Sequence, residues 1–455
     1  MSIIRNLQHG GCVCLLLLVI YGYYAFLSGN DDSGFDPFEK YGYFLTWILF
    51  APRIFLYFPL VFACFNFLGI ICYHTFPEKP QLQRSPLLGP FFCFRVVTRG
   101  LFPELVRENV ERNLQICTSV GLQNFMFEVV TDIPVNLPKN PRTRELVVPH
   151  NYTTRNGTLF KARALQYSLE PGVDILSDDD WIVHLDEETI LTESSVIGTI
   201  NFVSEGKHSF GQGVITYSKD KIVNWVTTLA DSVRVGVDYG ALRFSLRTLN
   251  KPFFSWKGSF IIANAAAEKH ITFDHGPESS IAEDCFFAMM AFKEGYSFGF
   301  VEGEMWERST FTLMDYIRQR RRWILGIYLT ASSRKIPFKY KMGVILMSAS
   351  GLSLPITTMG FIFGYIWPLP AWNGIHLILC SFLGTIVFLF MFGTMKSFSI
   401  RRTGAVQCVL LVIASLFCAI ISSVLENVVA IMAWLPHKQP EFQIVKKDIR
   451  LQTIV

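Results

Sequence analysis

Three acids close an apolar run in Trp181-Ile-Val-His-Leu-Asp186-Glu-Glu188. The apolar part has the composition of a short buried strand, and the acids fall where it should end. In open α/β sheets, ligands bind outside the carboxyl ends of strands. Side chains alternate along a strand, so Asp186 and Glu188 are expected to share a face while Glu187 points away. Two carboxylates so placed suit a hard divalent cation, and such a cation suits a diphosphate. Acids at a strand end serve equally well as loop or helix-capping residues, so the stretch needs partners elsewhere in the chain before it means chemistry.

Three other stretches supply candidates. Glu283-Asp284 precedes apolar residues at helical spacing, which places the pair at a helix N-terminus, where acids also act as simple caps. Trp256-Lys-Gly258-Ser259-Phe260 sets a glycine and a hydroxyl between aromatics, suited to holding a sugar or to a turn before the buried strand Phe260-Ile-Ile-Ala. Gln319-Arg-Arg-Arg-Trp323 lies in a stretch from Thr310 to Thr330 expected to be one helix, capped by Ser309 or Thr310. Arg318 and Arg320 to Arg322 encircle it. Guanidinium groups bind diphosphates in bidentate fashion, and Trp323 offers a stacking surface for a sugar ring. The same patch also suits an anionic lipid surface.

These residues need a scaffold. Residues 92–336 carry most of the charge and have the pattern of one α/β domain. Strands are expected at 94–98, 125–131, before Asp186 and at 212–217. Helices are expected from about 101 to 120, near 161–165 and at 193–204. Alternating strands and helices imply a mostly parallel sheet.

The chain of 455 residues is 51% hydrophobic, with 41 Phe and only 17% charged residues. The apolar excess gathers at the two ends, beyond what a soluble domain carries. Candidate spans are 11–27, read as an uncleaved anchor rather than a signal peptide, and 54–75, following Pro52 and Arg53. Further spans fall at 343–367, 374–395 and 405–434, the last containing Glu426-Asn427 and so a candidate for a broken or re-entrant segment. An acidic loop from Asn30-Asp-Asp32 to Glu39 separates the first two runs, and Lys79 and Arg84 follow them. That charge pattern predicts a central domain facing the cytoplasm, which would leave the sequons at Asn151 and Asn156 unused. Net charge is +4, with no basic arm, so nucleic acid is not an expected partner. Seven of the ten cysteines lie in apolar runs and no CxxC pair occurs, which points to neither zinc nor a disulfide framework. The expected layout is two N-terminal spans in 1–80, a catalytic domain over 90–338, C-terminal spans over 341–436 and a tail over 437–455.

Taken together, Asp186-Glu-Glu188, Ala282-Glu-Asp284 and Gln319-Arg-Arg-Arg-Trp323, with apolar flanks, resemble the membrane-embedded family-2 glycosyltransferases, which include cellulose, chitin and hyaluronan synthases. Within that family, Val-Val-Thr-Arg-Gly, Glu-Val-Val-Thr-Asp and His-Leu-Asp-Glu-Glu-Thr look most like the Egghead-type β-1,4-mannosyltransferases. The resemblance implies a GT-A, Rossmann-like catalytic domain flanked by transmembrane helices in the Golgi or endoplasmic reticulum. It implies a GDP-mannose donor, a glucosylceramide acceptor held in membrane lipid, and a divalent cation, Mn2+ or Mg2+. By motif position it makes Asp284 the base and Asp186 and Glu188 the metal ligands. It gives donor roles to Asp132, Lys161, Arg321 and Arg322, with Arg322 preferred, and acceptor roles to Gly258, Ser259, Glu283 and Trp323. The sequence departs from the family pattern at Thr98-Arg99-Gly100, at Glu188, where Asp is commoner, and at Ala282, where Thr is usual. A processive polysaccharide synthase remains the alternative within this chemistry, and a transporter or non-catalytic scaffold the alternative outside it.

Overall fold

The computed structural model describes residues 2–28, 35–87, 89–218, 222–370 and 373–435, so the loop residues Asn30 to Asp32 and the tail over 437–455 lie outside the described residues. The chain divides into two compact units. Among the described residues, one comprises those up to Pro77, Leu229–Phe244 and those from Ile345 to 435, and the other Glu78–Thr228 and Ser245–Val344.

The second unit is built on a seven-stranded sheet in the order β3-β2-β1-β4-β6-β5-β7. The strands are β1 (Phe92–Thr98), β2 (Phe125–Thr131), β3 (Thr143–Val147), β4 (Trp181–Asp186), β5 (Phe210–Tyr217), β6 (Ile261–Asn264) and β7 (Phe298–Glu307). β1 pairs in parallel with β2 and β4, β2 with β3, and β5 with β7, whereas β6 runs antiparallel to both β4 and β5. The mostly parallel sheet expected from the alternating pattern is therefore present. β1 and β5 are buried along their whole length, as strands between covered faces should be.

Register aligns the carboxyl ends. Thr98 lies beside Thr131, and Val97 beside Asp186, so the chain leaves β1, β2 and β4 on one edge of the sheet. Gly100 takes the sharp exit after β1 with φ +78°, and a Cβ there would sit 2.1 Å from the Ile133 carbonyl oxygen. Only glycine fits so close a backbone approach.

One face of the sheet carries a charged row. Register sets Arg95 beside Glu128 and His184, all buried. Arg95 donates to Glu128 at 2.7 Å and to Glu268 at 3.1 Å, and His184 Nε2 lies 2.6 Å from Glu268. Buried charges persist only when paired in this way.

The first unit holds helices that are long and apolar. The described residues contain five segments able to cross a membrane by length and composition: Ile3–Phe26, Tyr43–Cys72, Phe338–Ile366, Leu377–Phe398 and Ala405–Trp434. Two expectations are corrected. The second segment starts at Tyr43 rather than 54, because Pro52 is carried inside the helix Tyr43–Ile54 and a 3-10 turn at Phe55–Tyr57 joins it to Phe58–Cys72. The last segment is one continuous helix of 30 residues rather than a broken one. Asn427 satisfies its amide inside that helix, on the Ser423 carbonyl at 2.8 Å, and so does not interrupt it.

Leu229–Phe244 brings a π-helical turn, Asp238–Leu242, into the same unit. Asn66 accepts the Ala241 amide at 3.0 Å, and Gly69 packs so tightly on Gly240 that a Cβ would lie 2.1 Å from its carbonyl oxygen.

Candidate active site

β4 delivers Asp186 to the sheet edge, but strand geometry stops there. Glu187 and Glu188 form a turn, closed by the Thr189 amide on the Asp186 carbonyl at 3.0 Å. Strand alternation therefore does not extend to Glu188, and the expected face-sharing loses its premise. Glu187 is turned away for a different reason: it is buried and accepts a hydrogen bond from the Thr98 hydroxyl. Asp186 and Glu188 are half-buried.

Lys161, in the first turn of the helix Phe160–Tyr167, places its ammonium 2.5 Å from Asp186 Oδ1. The same nitrogen lies 3.2 Å from the Gly258 carbonyl oxygen and 3.7 Å from Glu283 Oε1. Burial works against its charge, but Asp186, Glu283 and Asp284 together hold its pKa above the usual lysine value.

Glu283 and Asp284 open the helix Glu283–Lys293, as the spacing predicted. Asp284 Oδ1 accepts the Cys285 amide at 2.7 Å. Burial and the neighbouring Glu283 push its carboxyl up to about 7, while Lys161 and Arg322 pull the other way. Gly258 completes the group. A Cβ on it would stand 3.1 Å from Lys161 Nζ and 3.2 Å from Asp284 Oδ2. The structure thus brings Lys161, Asp186, Gly258, Glu283 and Asp284 together from four separate chain segments.

The arginine stretch lies on the helix Leu313–Ser332, capped by Thr312 rather than by Ser309 or Thr310. The charge of Arg322 acts on Asp284, pulling its carboxyl down. Arg320 is buried, with its guanidinium 4.7 Å from the Tyr316 ring and 4.3 Å from the Trp323 ring, so one face of Trp323 is occupied by a cation within the fold. Gln319 presents a buried side-chain oxygen that has no partner among the described residues. Gly326 lets this helix close on Ala282, where a Cβ would come within 2.6 Å of the alanine methyl.

Other expected residues sit elsewhere. Asp132 follows β2 and pairs with Arg163 at 2.6 Å and, more loosely, Arg99 at 3.9 Å. Trp256 is buried edge-on against Phe298 and offers no surface for a sugar. Ser259 is buried, and its hydroxyl lies 2.8 Å from that of Thr189, which in turn donates to Glu307 at 2.8 Å. That hydroxyl is engaged inside the fold, which gives Ser259 a part in holding the acidic turn.

Sequence reasoning passed over Arg163, Thr189 and Glu307, and also Asn109 and Asn113 on the helix Pro103–Ser119. The asparagines carried a signal: two polar residues, one turn apart, on the face of an amphipathic helix that should be apolar.

The donor set also bears on a cation. Asp186 and Glu188 offer hard oxygen ligands, and no group of three His, Cys, Asp or Glu able to hold a metal occurs among the described residues. A Mg2+-like ion that keeps waters and shares a substrate's phosphates needs only one or two protein carboxylates, so the residues fit that kind of binding.

Residues 181–435 match the family model described as Glycosyl transferase family group 2. The chain is 47% identical over 461 residues to β-1,4-mannosyltransferase egh of Drosophila melanogaster, covering 100% of both chains. It is 45% identical over 442 residues to β-1,4-mannosyltransferase bre-3 of Caenorhabditis elegans, covering 96% of this chain and 97% of that one. Among solved structures, mannosyltransferase PcManGT from Pyrobaculum calidifontis in complex with GDP-Man and Mn2+ aligns with a TM-score of 0.46 at 13% identity, covering 83% of this chain and 98% of that chain. The chain belongs to glycosyl transferase family group 2, in one family with these β-1,4-mannosyltransferases. Membership bears out the resemblance carried by the three motifs and makes the protein an enzyme rather than a transporter or a scaffold.

Proposed function

We propose that the protein is an inverting mannosyltransferase that moves mannose from GDP-mannose to the glucose of glucosylceramide through a β-1,4 link. The observation that carries this reading is the convergence on Lys161, whose ammonium sits 2.5 Å from Asp186 and 3.7 Å from Glu283, beside Asp284. An acid suited to a cation and an acid suited to a proton thus share one small site. The full-length likeness to β-1,4-mannosyltransferases supports the sugar, and the apolar helices suit an acceptor whose tails stay in lipid.

Asp284, as carboxylate, takes the proton from the acceptor hydroxyl while that oxygen bonds to the anomeric carbon. The bond from that carbon to the diphosphate oxygen breaks, GDP leaves, and one displacement turns an α-linked donor into a β-linked product. A bound divalent cation would supply Lewis-acid stabilisation of the departing diphosphate, with Asp186 and Glu188 as the protein ligands. Arg322 adds fixed positive charge to the site, with Arg321 beside it in sequence. Asp132 takes the nucleoside end of the donor, a role in which Arg163 orients it. Gly258, Glu283 and Trp323 border the acceptor sugar.

The catalytic domain faces the cytoplasm of the Golgi or endoplasmic reticulum, so Asn151 and Asn156 stay unglycosylated. The Asn156 amide is already bonded to the Asp274 carbonyl at 2.7 Å. Enzymatic deglycosylation of the expressed protein should leave its mobility unchanged, and a shift that either sequon abolishes would reverse the orientation.

The function is tested by offering the purified protein GDP-mannose, UDP-glucose, UDP-GlcNAc or UDP-glucuronate with glucosylceramide and Mn2+, scored by released nucleotide. Release should require GDP-mannose and glucosylceramide together and add a single sugar. Turnover with a UDP-sugar instead overturns the donor, and a polymeric product indicates a processive synthase.

A further inference from the structure

We infer that Asn109 and Asn113 are positioning residues that clamp the acidic turn and thereby set its affinity for a divalent cation. The inference rests on the metal reading of Asp186 and Glu188 given above. Neither asparagine carries charge. Both lie on the buried face of the helix Pro103–Ser119, 8% and 1% exposed.

A buried amide costs stability unless its hydrogen bonds are met, and here they go to a single turn. Asn109 Nδ2 donates to the Glu187 carbonyl at 2.9 Å. Asn113 Nδ2 donates to the Thr189 carbonyl at 3.0 Å, and its Oδ1 accepts the Leu191 amide at 2.8 Å. Residues four apart lie one above the other on a helix face, so the two amides grip carbonyls two residues apart on the chain that carries Asp186, Glu187 and Glu188.

Two side chains of the turn are also fixed. Thr189 Oγ1 accepts the Asp186 amide at 3.1 Å and donates to Glu307. Glu187 is held by Thr98. The backbone is thus pinned on both flanks of Glu188, and the ligand carboxylates project from a rigid turn rather than from a mobile loop. Outer residues that orient metal ligands typically change metal affinity or activity by about 10–100-fold when lost. The asparagines are placed to act in that way, through backbone alone.

The test compares full-length wild type, Asn113→Ala and Asn109→Ala in detergent. Hydrogen exchange of residues 186–192 is measured without metal, Mn2+ binding in the presence of GDP is measured directly, and kcat and KM are measured for GDP-mannose. Asn113→Ala should lose protection in the turn and weaken Mn2+ binding by about 10–100-fold, with a thermal midpoint within a few degrees of wild type. Asn109→Ala, which loses one bond instead of two, should show the same pattern more weakly and serves if Asn113→Ala does not fold. Unchanged protection overturns the clamp. Lost protection with unchanged Mn2+ binding overturns its role at the cation site and leaves a structural one. Wild type that binds no Mn2+ with GDP overturns the metal reading itself, a result separable from the others because the exchange measurement needs no metal.

Discussion

Asp186 and Asp284 are the same residue type, both half-buried and both within the influence of the Lys161 ammonium, yet their surroundings differ. Asp186 ends a strand and has that ammonium against one oxygen at 2.5 Å. Asp284 begins a helix, lies beside Glu283, and has its carboxyl pushed up to about 7 by burial and that neighbour. Environment rather than residue type separates the roles. An acid paired with an ammonium carries the negative charge that a divalent cation would also seek, and an acid poised near neutrality is suited to carry a proton.

The contrast breaks most visibly at Asp284. Asp284→Asn keeps the shape and removes the base, so turnover should fall by about 10²–10⁴-fold or more. GDP binding with Mn2+, measured by calorimetry, should stay near the wild-type value. Asp186→Ala should give the complementary pattern, with Mn2+-dependent GDP binding weakened by about 10–100-fold, read from the Mn2+ concentration that gives half-maximal binding. The smallest effect belongs to Gly258→Ala. The added methyl meets the flexible end of Lys161 at 3.1 Å and Asp284 at 3.2 Å, so both sites shift slightly. Turnover should drop by about tenfold or less, with the fold intact by circular dichroism.

Much of this was legible in the residues. β4 and its terminal acid, the helix opening at Glu283 and the arginine helix follow from apolar runs and helical spacing. Two strands were not. β3 lies on the sheet edge with half-exposed residues, and β7 mixes Glu302, Gly303 and Glu304 into its run, so neither gives a clean period. The turn at Glu187 was missed because part of what holds it in place is distant in sequence. Thr189 is held by Ser259 and Glu307, 70 and 118 residues further on. No local pattern encodes such contacts, and the same holds for Lys161 meeting Asp186. Pro52 misled for the opposite reason: its local rule breaks helices, and here a 3-10 step absorbs it.

The assignment of the base to Asp284 is tested most directly by the pH dependence of kcat/KM for GDP-mannose. A carboxyl raised to about 7 is mostly protonated below that pH and then cannot accept the acceptor's proton. The profile should therefore rise by about tenfold per pH unit below neutrality and level off above it. Asp284→Glu should move that acidic limb, and Asp186→Glu should leave it in place. A profile that is flat through neutrality, or a limb that stays put in Asp284→Glu, would contradict the account.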